Sequence, residues 1–137
     1  MSDSFPEEVA LRSETDIVVV RKSVREAATR LGFGITDVTR IITAASELAR
    51  NVFLYAGSGV VRYRVLNHSD KVGLELVVED HGPGIADIEQ AMQPGYTTGR
   101  GLGYGLPGAK RLMDEMEIES EAGKGTKITV KKWRKGT

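Results

Sequence analysis

Two β-rich runs, residues 60–66 and 72–78, stand on either side of Asn67-His68-Ser69-Asp70, a string of turn-forming residues. This reads as a hairpin, so the two runs are expected as neighbouring antiparallel strands. The segments before it follow a different period. Val20, Val24, Ala27, Ala28 and Leu31 recur at i, i+4, i+7 and i+8 after Asp16, which is read as an N-cap, and the pattern stops at Gly32 and Gly34. A second helix is expected from Thr36 or Asp37, with Val38, Ile41, Ile42, Ala45, Leu48, Ala49, Val52 and Phe53 as its apolar stripe and Gly57 as its stop. After the hairpin come a Gly/Pro loop, a short apolar segment near residues 85–92, a glycine-rich stretch from Pro94 to Gly105 and a helix through Leu112. Residues 117–120 and 127–133 read as closing strands around Gly123-Lys124-Gly125. Strands gathered on one side of a few helices point to an α/β protein of the α+β kind, a two-layer sandwich.

At 137 residues the chain sits in the usual single-domain range, and residues 1–137 are read as one unit with no internal repeat and no linker. Hydrophobic residues at 40% and charged residues at 28% fit a soluble globular protein rather than a disordered or membrane chain. Without cysteine there is no disulfide or thiolate chemistry, and His68 and His81 alone make a poor zinc set. The first residues lack the basic start and apolar run of a signal peptide, and no stretch reaches the ~20 apolar residues that span a bilayer. A cytoplasmic protein without a membrane partner is expected. A formal net charge of +0 gives no global field for nucleic acid, and Lys131, Lys132, Arg134 and Lys135 are read as a solvated basic tail.

Three places carry residues suited to chemistry. An advance of about 100° per residue puts Glu47 and Asn51 on one face of the second helix, opposite Ile41, Ala45, Ala49 and Val52. A solvated polar face carries such residues too. The functional reading gives them separate roles: the Asn51 amide oxygen is a hard ligand suited to magnesium beside nucleotide phosphates, and Glu47, one turn away, can take a proton from an attacking hydroxyl. The second place is Asp80-His81-Gly82-Pro83-Gly84, directly after the second run of the hairpin. A carboxylate at a strand end, beside residues without side chains, can accept a hydrogen bond from the exocyclic amine of adenine, whereas guanine sets a carbonyl oxygen against it. The same residues also make ordinary turns. The third is Gly99-Arg100-Gly101-Leu102-Gly103-Tyr104-Gly105, leading into a helix. Glycines there let backbone amides approach an anion and the helix N-terminus adds partial positive charge, so phosphate is the natural occupant; the competing reading is a plain surface loop. His81 is read as a pocket-edge or turn residue and Trp133 as a packing residue.

Gly103-Tyr104-Gly105-Leu106-Pro107-Gly108 fits the dinucleotide pattern, but no strand precedes it. A Walker-type loop fails because Lys110 is displaced by one residue and followed by Arg111. The elements of eukaryotic protein kinases do not occur. Taken in order, however, Glu47 with Asn51, Asp80-x-Gly82-x-Gly84, Gly101-x-Gly103-x-Gly105 and Gly123-x-Gly125-Thr126 resemble the successive boxes of the GHKL ATPases. The resemblance implies the Bergerat ATP-binding fold over essentially the whole chain, with a mixed, largely antiparallel sheet covered on one face by helices. It implies ATP and Mg as cofactors, with Asn51 on the metal, Asp80 on the adenine amine, Gly82 and Gly84 shaping the base pocket and Thr126 supporting it. Arg100, Gly101, Leu102, Gly103, Tyr104 and Gly105 then surround the phosphates, and residues from Pro94 to Arg100 form a short lid.

A finer likeness lies in Ser46-Glu47-Leu48-Ala49-Arg50-Asn51, Leu54-Tyr55-Ala56-Gly57, the segment from Glu79 to Ile85, the segment from Gly101 to Gly108, Lys110 to Glu115, and Lys132-Trp133. These are similar to the RsbT-type switch-protein serine kinases of bacterial stressosomes. That likeness implies phosphorylation of serine or threonine in STAS-domain scaffold or antagonist proteins, followed by release of the kinase to activate a phosphatase-type regulator. Glu47 is the expected catalytic residue. Two alternatives stay open: an anti-sigma-factor kinase of the same fold, and a non-catalytic ATP-gated binding module. Leu54-Tyr55-Ala56-Gly57 stands where many relatives carry a basic residue or histidine, which favours the RsbT type and leaves Arg100 or Lys110 to meet the terminal phosphate.

Overall fold

The hairpin is the centre of the sheet. In a computed structural model, which describes residues 7–84 and 105–135, β2 (Gly59–His68) and β3 (Lys71–Asp80) pair along their whole length. The register closes at His68 and Lys71, so the loop is the two residues Ser69 and Asp70, and Ser69 takes a positive φ of 58°. β1 (Glu7–Leu11) lies along the outer side of β2, and β5 (Gly125–Trp133) lies along β3 with β4 (Glu115–Glu121) beyond it. The order is β1-β2-β3-β5-β4, and every pairing among the described residues is antiparallel. Among the described residues three helices, α1 (Asp16–Arg30), α2 (Ile35–Tyr55) and α3 (Gly105–Leu112), accompany the sheet in an α+β arrangement.

Alternation along the strands decides which face the helices take. Val61 and Tyr63 on β2, Leu74, Leu76 and Val78 on β3, and Ile128 and Val130 on β5 share one side and join the core with the helices. α2 packs on both α1 and α3, and buries Ile41, Ala44, Ala45, Leu48, Ala49 and Val52. Its alanines admit close neighbours on several sides, while a fully buried leucine such as Leu48 contributes about 1.5–3 kcal/mol over an exposed one.

The other face of the sheet is covered by its own charges. Glu75, 5% exposed, receives Arg64 at 2.8 Å from the strand on one side and Lys131 at 3.9 Å from the other. Lys131 is also 3.9 Å from Glu115, and Arg62 bridges Glu79 at 2.7 Å and Glu8 at 3.5 Å. Opposite charges facing each other across strands stabilise this face of the sheet.

Several expectations need correcting. Asp16 is not the N-cap of α1: Thr15 holds that position without a side-chain cap bond, and Asp16 is the first helical residue. Its Oδ2 instead accepts the backbone amides of Arg12 at 2.8 Å and Ser13 at 3.1 Å, and these bonds hold its carboxyl below the ordinary carboxylate value. β1 went unforeseen because its five residues begin with two glutamates and show little alternation. The basic tail is not simply a solvated end, since Lys132 is 4% exposed and Arg134 donates to the Leu31 carbonyl at 2.8 Å, capping α1. Trp133 does pack, but on the face of the sheet away from the described helices: a Cβ on Gly73 would sit 2.7 Å from its ring, and its indole N–H donates to Glu115 at 2.7 Å. The apolar segment at 85–92 and most of the glycine-rich stretch fall outside the described residues. No helix among the described residues is long and apolar enough to cross a membrane.

Candidate functional site

Asp80 is the last residue of β3 and shares the side of Leu74, Leu76 and Val78, so it stands at the rim of the face that carries the helices. The Gly82 amide donates to Asp80 Oδ1 at 2.8 Å, closing a turn over the strand end. Among the described residues, Oδ2 accepts no hydrogen bond. Directly across the ladder lies Thr126, and beyond it Ser120. The Ser120 and Thr126 hydroxyls are 3.0 Å apart, and Ser120 Oγ also donates to the Gly125 carbonyl at 3.0 Å. A carboxylate acceptor and a threonine hydroxyl therefore stand side by side at one end of the sheet.

Backbone proximity around this pair leaves no room for side chains. Gly84 has a φ of 80°, and a Cβ there would run into the Glu121 carbonyl at the end of β4. Gly125 has a φ of 116°, and a Cβ would collide with the Asp80 carbonyl and come within 2.8 Å of the His81 Cα. An L side chain is disfavoured at both by conformation and by space. The Gly123 amide donates to the Pro83 carbonyl at 2.7 Å, locking the two loops together. Gly125, read from sequence only as part of the Gly123-x-Gly125-Thr126 box, closes against the Asp80 loop. Its signal was the Gly-x-Gly-Thr spacing, but its partner across the fold is invisible in one dimension.

The C-terminal end of α2 reaches the same place. A Cβ on Gly82 would stand 2.5 Å from the Ala56 Cβ, and one on Gly59 would meet Val52 Cγ1 at 3.0 Å and Asp80 Cβ at 3.3 Å. Asn51, next to Val52, is half-buried one turn before the helix ends. Glu47 is a turn further back, with Oε2 bound by Arg50 at 3.0 Å and its side chain 38% exposed. Ser46, just before it, is buried: its hydroxyl donates to the Ile42 carbonyl at 2.8 Å and accepts Arg21 Nη1 from α1 at 2.8 Å. That link between α1 and α2 was missed from sequence, because Arg21 and Ser46 are 25 residues apart.

The structure thus gathers Asp80, Gly82, Gly84 and Thr126 at one rim, with the end of α2 beside them. Gly105 begins α3, while Arg100, Gly101, Leu102, Gly103 and Tyr104 lie outside the described residues. Lys110 is on α3 and exposed, as is His81 in its turn. Among the described residues, a separate cleft of about 400 Å³ opens where Ala10, Arg12, Val60, Arg62, Glu79 and His81 meet.

Residues 11–132 match the histidine kinase-like ATPase domain. The chain is 50% identical to the serine/threonine-protein kinase RsbT of Bacillus subtilis (strain 168) over 125 residues, covering 91% of this chain and 94% of that protein. It is 34% identical to an anti-sigma F factor of Caldanaerobacter subterraneus subsp. tengcongensis over 119 residues, 82% of each. Among solved structures, the RsbU and RsbW domains of Rv1364c from Mycobacterium tuberculosis align with a TM-score of 0.61 at 20% identity, over 95% of this chain and 34% of that one. The mycobacterial sensor histidine kinase MprB aligns at 0.59 and 20% identity, over 96% of this chain and 99% of that one. At such identities these two likenesses speak for the fold, whereas the match over residues 11–132 speaks for descent: the chain belongs to the histidine kinase-like ATPase domain family, the GHKL superfamily.

Proposed function

We propose that this chain is an ATP- and Mg-dependent protein serine/threonine kinase of the RsbT type, acting as a partner-switching regulator in a bacterial sigma-factor stress pathway. The observation that carries the reading is Asp80: a carboxylate at the end of β3 with Oδ1 fixed by the Gly82 amide and Oδ2 turned over to a ligand donor, beside Thr126. A carboxylate acceptor beside a threonine hydroxyl fits the amino edge of adenine, and Gly84 and Gly125 let the neighbouring backbones close against the strand end. The 50% identity to RsbT over 91% of the chain supports the kinase activity.

In this reading Asp80, Gly82, Gly84 and Thr126 hold the base, while Arg100, Gly101, Leu102, Gly103, Tyr104 and Gly105 surround the phosphates at the start of α3. Asn51 would hold magnesium through its amide oxygen, and the ion would supply charge neutralisation at the phosphates. Glu47 orients the acceptor serine or threonine hydroxyl and takes its proton as the oxygen bonds to the γ-phosphorus and the bond to the departing ADP oxygen breaks. Arg50 on Glu47 Oε2 limits the rotamers of that carboxylate. The acceptor is a STAS-domain scaffold or antagonist, and the released kinase engages a phosphatase-type regulator, in the cytoplasm.

The test is single-turnover transfer from γ-labelled ATP to purified STAS-domain proteins. Label on a serine or threonine supports the reading. If no candidate is labelled while ATP still alters partner affinity, a non-catalytic ATP-gated module replaces it. The 34% identity to anti-sigma F factors favours a second reading, an anti-sigma-factor kinase, and sigma-factor capture in the presence of ATP distinguishes the two.

A further inference from the structure

We infer that Lys132 is a positioning residue for phosphate recognition, fixing the orientation of α3 from the end of the helix away from the nucleotide. The inference rests on the reading above that the phosphates meet the start of α3. α3 has eight residues, Gly105–Leu112, and so is about 12 Å long. Its first residue follows directly on the glycine-rich stretch, so its direction is set by its packing on α2, where Leu106 and Ala109 are buried, and by its last turn.

At that last turn Lys132 Nζ donates to the Leu112 carbonyl at 2.8 Å. The same ammonium is 3.6 Å from Asp114 Oδ1 and 3.8 Å from Asp37 Oδ1 in the first turn of α2. One cation from β5 therefore joins the C-terminus of α3, the N-terminus of α2 and the start of the α3–β4 connection. Asp114 is tied down in turn, its Oδ2 accepting the Trp133 amide at 2.7 Å and its own amide donating to the Lys131 carbonyl at 2.9 Å.

Lys132 is 4% exposed. Burying an ammonium is unfavourable unless partners replace its water, and a buried ion pair often adds little stability over an apolar pair of the same volume. What this arrangement supplies is geometry: a charge-assisted bond to an otherwise unsatisfied terminal carbonyl, favourable to the helix dipole and directional. A tilt of about 10° at Leu112 moves the other end of a 12 Å helix by about 2 Å. Displacements of about 1 Å at reacting groups can cost about 100-fold in rate.

Lys132→Met keeps the length of the side chain and removes its charge. The experiment compares wild type and K132M for ATP·Mg and adenosine affinity by calorimetry and for single-turnover transfer, with folding followed by circular dichroism. Asp80 and Thr126, which face adenine, lie at the other end of the sheet. Adenosine affinity is expected to stay within about twofold, while the ratio of ATP to adenosine affinity falls about tenfold and transfer about 100-fold. A merely structural role lowers the melting temperature and leaves that ratio alone, and this result overturns the proposal. So does a K132M protein that loses both affinities equally. If K132M does not fold, Asp37→Asn carries the test: a lowered ratio supports the proposal and an unchanged one overturns it. A wild type that binds adenosine as tightly as ATP removes the phosphate reading of α3, and the role of Lys132 with it, whereas a phosphate preference that K132M keeps removes only the latter.

Discussion

At the end of β3 the two oxygens of Asp80 have different duties. Oδ1 accepts the Gly82 amide and shapes the turn, while Oδ2 is the acceptor assigned to adenine. Asp80→Asn separates these duties, because the amide keeps one oxygen for Gly82 and presents an NH₂ where the adenine amine also donates. The expected loss in ATP affinity is about 1.5–3 kcal/mol, about 10- to 100-fold, with the fold retained. Equal affinities in calorimetric titrations at fixed magnesium and salt would take Asp80 out of the adenine site. Asp16 makes a prediction in pH. Two backbone amides lower its carboxyl from the ordinary value of about 4, so its contribution to stability is fully present above that value and is lost as pH falls through its lower folded value. Wild type should lose more stability than Asp16→Asn on acidification from pH 5 to pH 2.5, read as denaturation midpoints; parallel curves would show that the two bonds do not act on folding. The placement of Glu47 and Asn51 on α2 and of Asp80 at the end of β3 was legible in sequence, because spacing marks a helix face and a strand end. The duty of Asp16 was not, since cap and first-turn positions differ by one residue and only the direction of the chain before the helix decides between them.

Elements differ in how well they announce themselves. Both long helices carry strong periods, and buried residues such as Val20, Ile41 and Leu48 are among those that the periods mark, whereas the hairpin announces itself by two β-rich runs around a turn. β1 has five residues and is held by pairing with β2, a contact about 50 residues distant that local sequence does not encode. The β4–β5 connection is an intermediate case: its glycines signal a turn, but not that the turn leans on the Asp80 loop. Gly125→Ala tests that dependence. The added Cβ meets the Asp80 carbonyl at a φ of 116°, so destabilisation of about 1–3 kcal/mol is expected, and ATP affinity should fall as well because the adenine loop must shift. Urea denaturation and ATP titration of the same preparations check both. Lost stability with unchanged affinity would show that the connection braces the sheet without shaping the pocket.

On the scale of the whole molecule, the proposed site spans β3, the β4–β5 connection, the end of α2 and the start of α3. A ligand that touches all of them binds the folded chain and not the unfolded one, so stability must rise with its concentration. At ATP·Mg one hundred times its dissociation constant the gain is about 2.7 kcal/mol, which for a domain of this size is about 8 °C in melting temperature. The proposed division of labour on α2 then predicts which variants lose that gain. Chelating magnesium should remove a large part of it from wild type. Asn51→Ala should show the same small ATP shift with and without magnesium, because the amide oxygen that links metal to helix is gone. Glu47→Ala should keep the full shift and yet lose about 10²–10⁴ in transfer rate, since its carboxylate acts on the acceptor hydroxyl and not on the bound nucleotide. Thermal melts with ATP, with and without metal, beside single-turnover transfer, read all three proteins. A full magnesium-dependent shift in Asn51→Ala would move the metal ligand elsewhere. Wild-type transfer by Glu47→Ala would leave a kinase whose base is another group, and loss of the thermal shift in Glu47→Ala would make it a nucleotide-site residue instead.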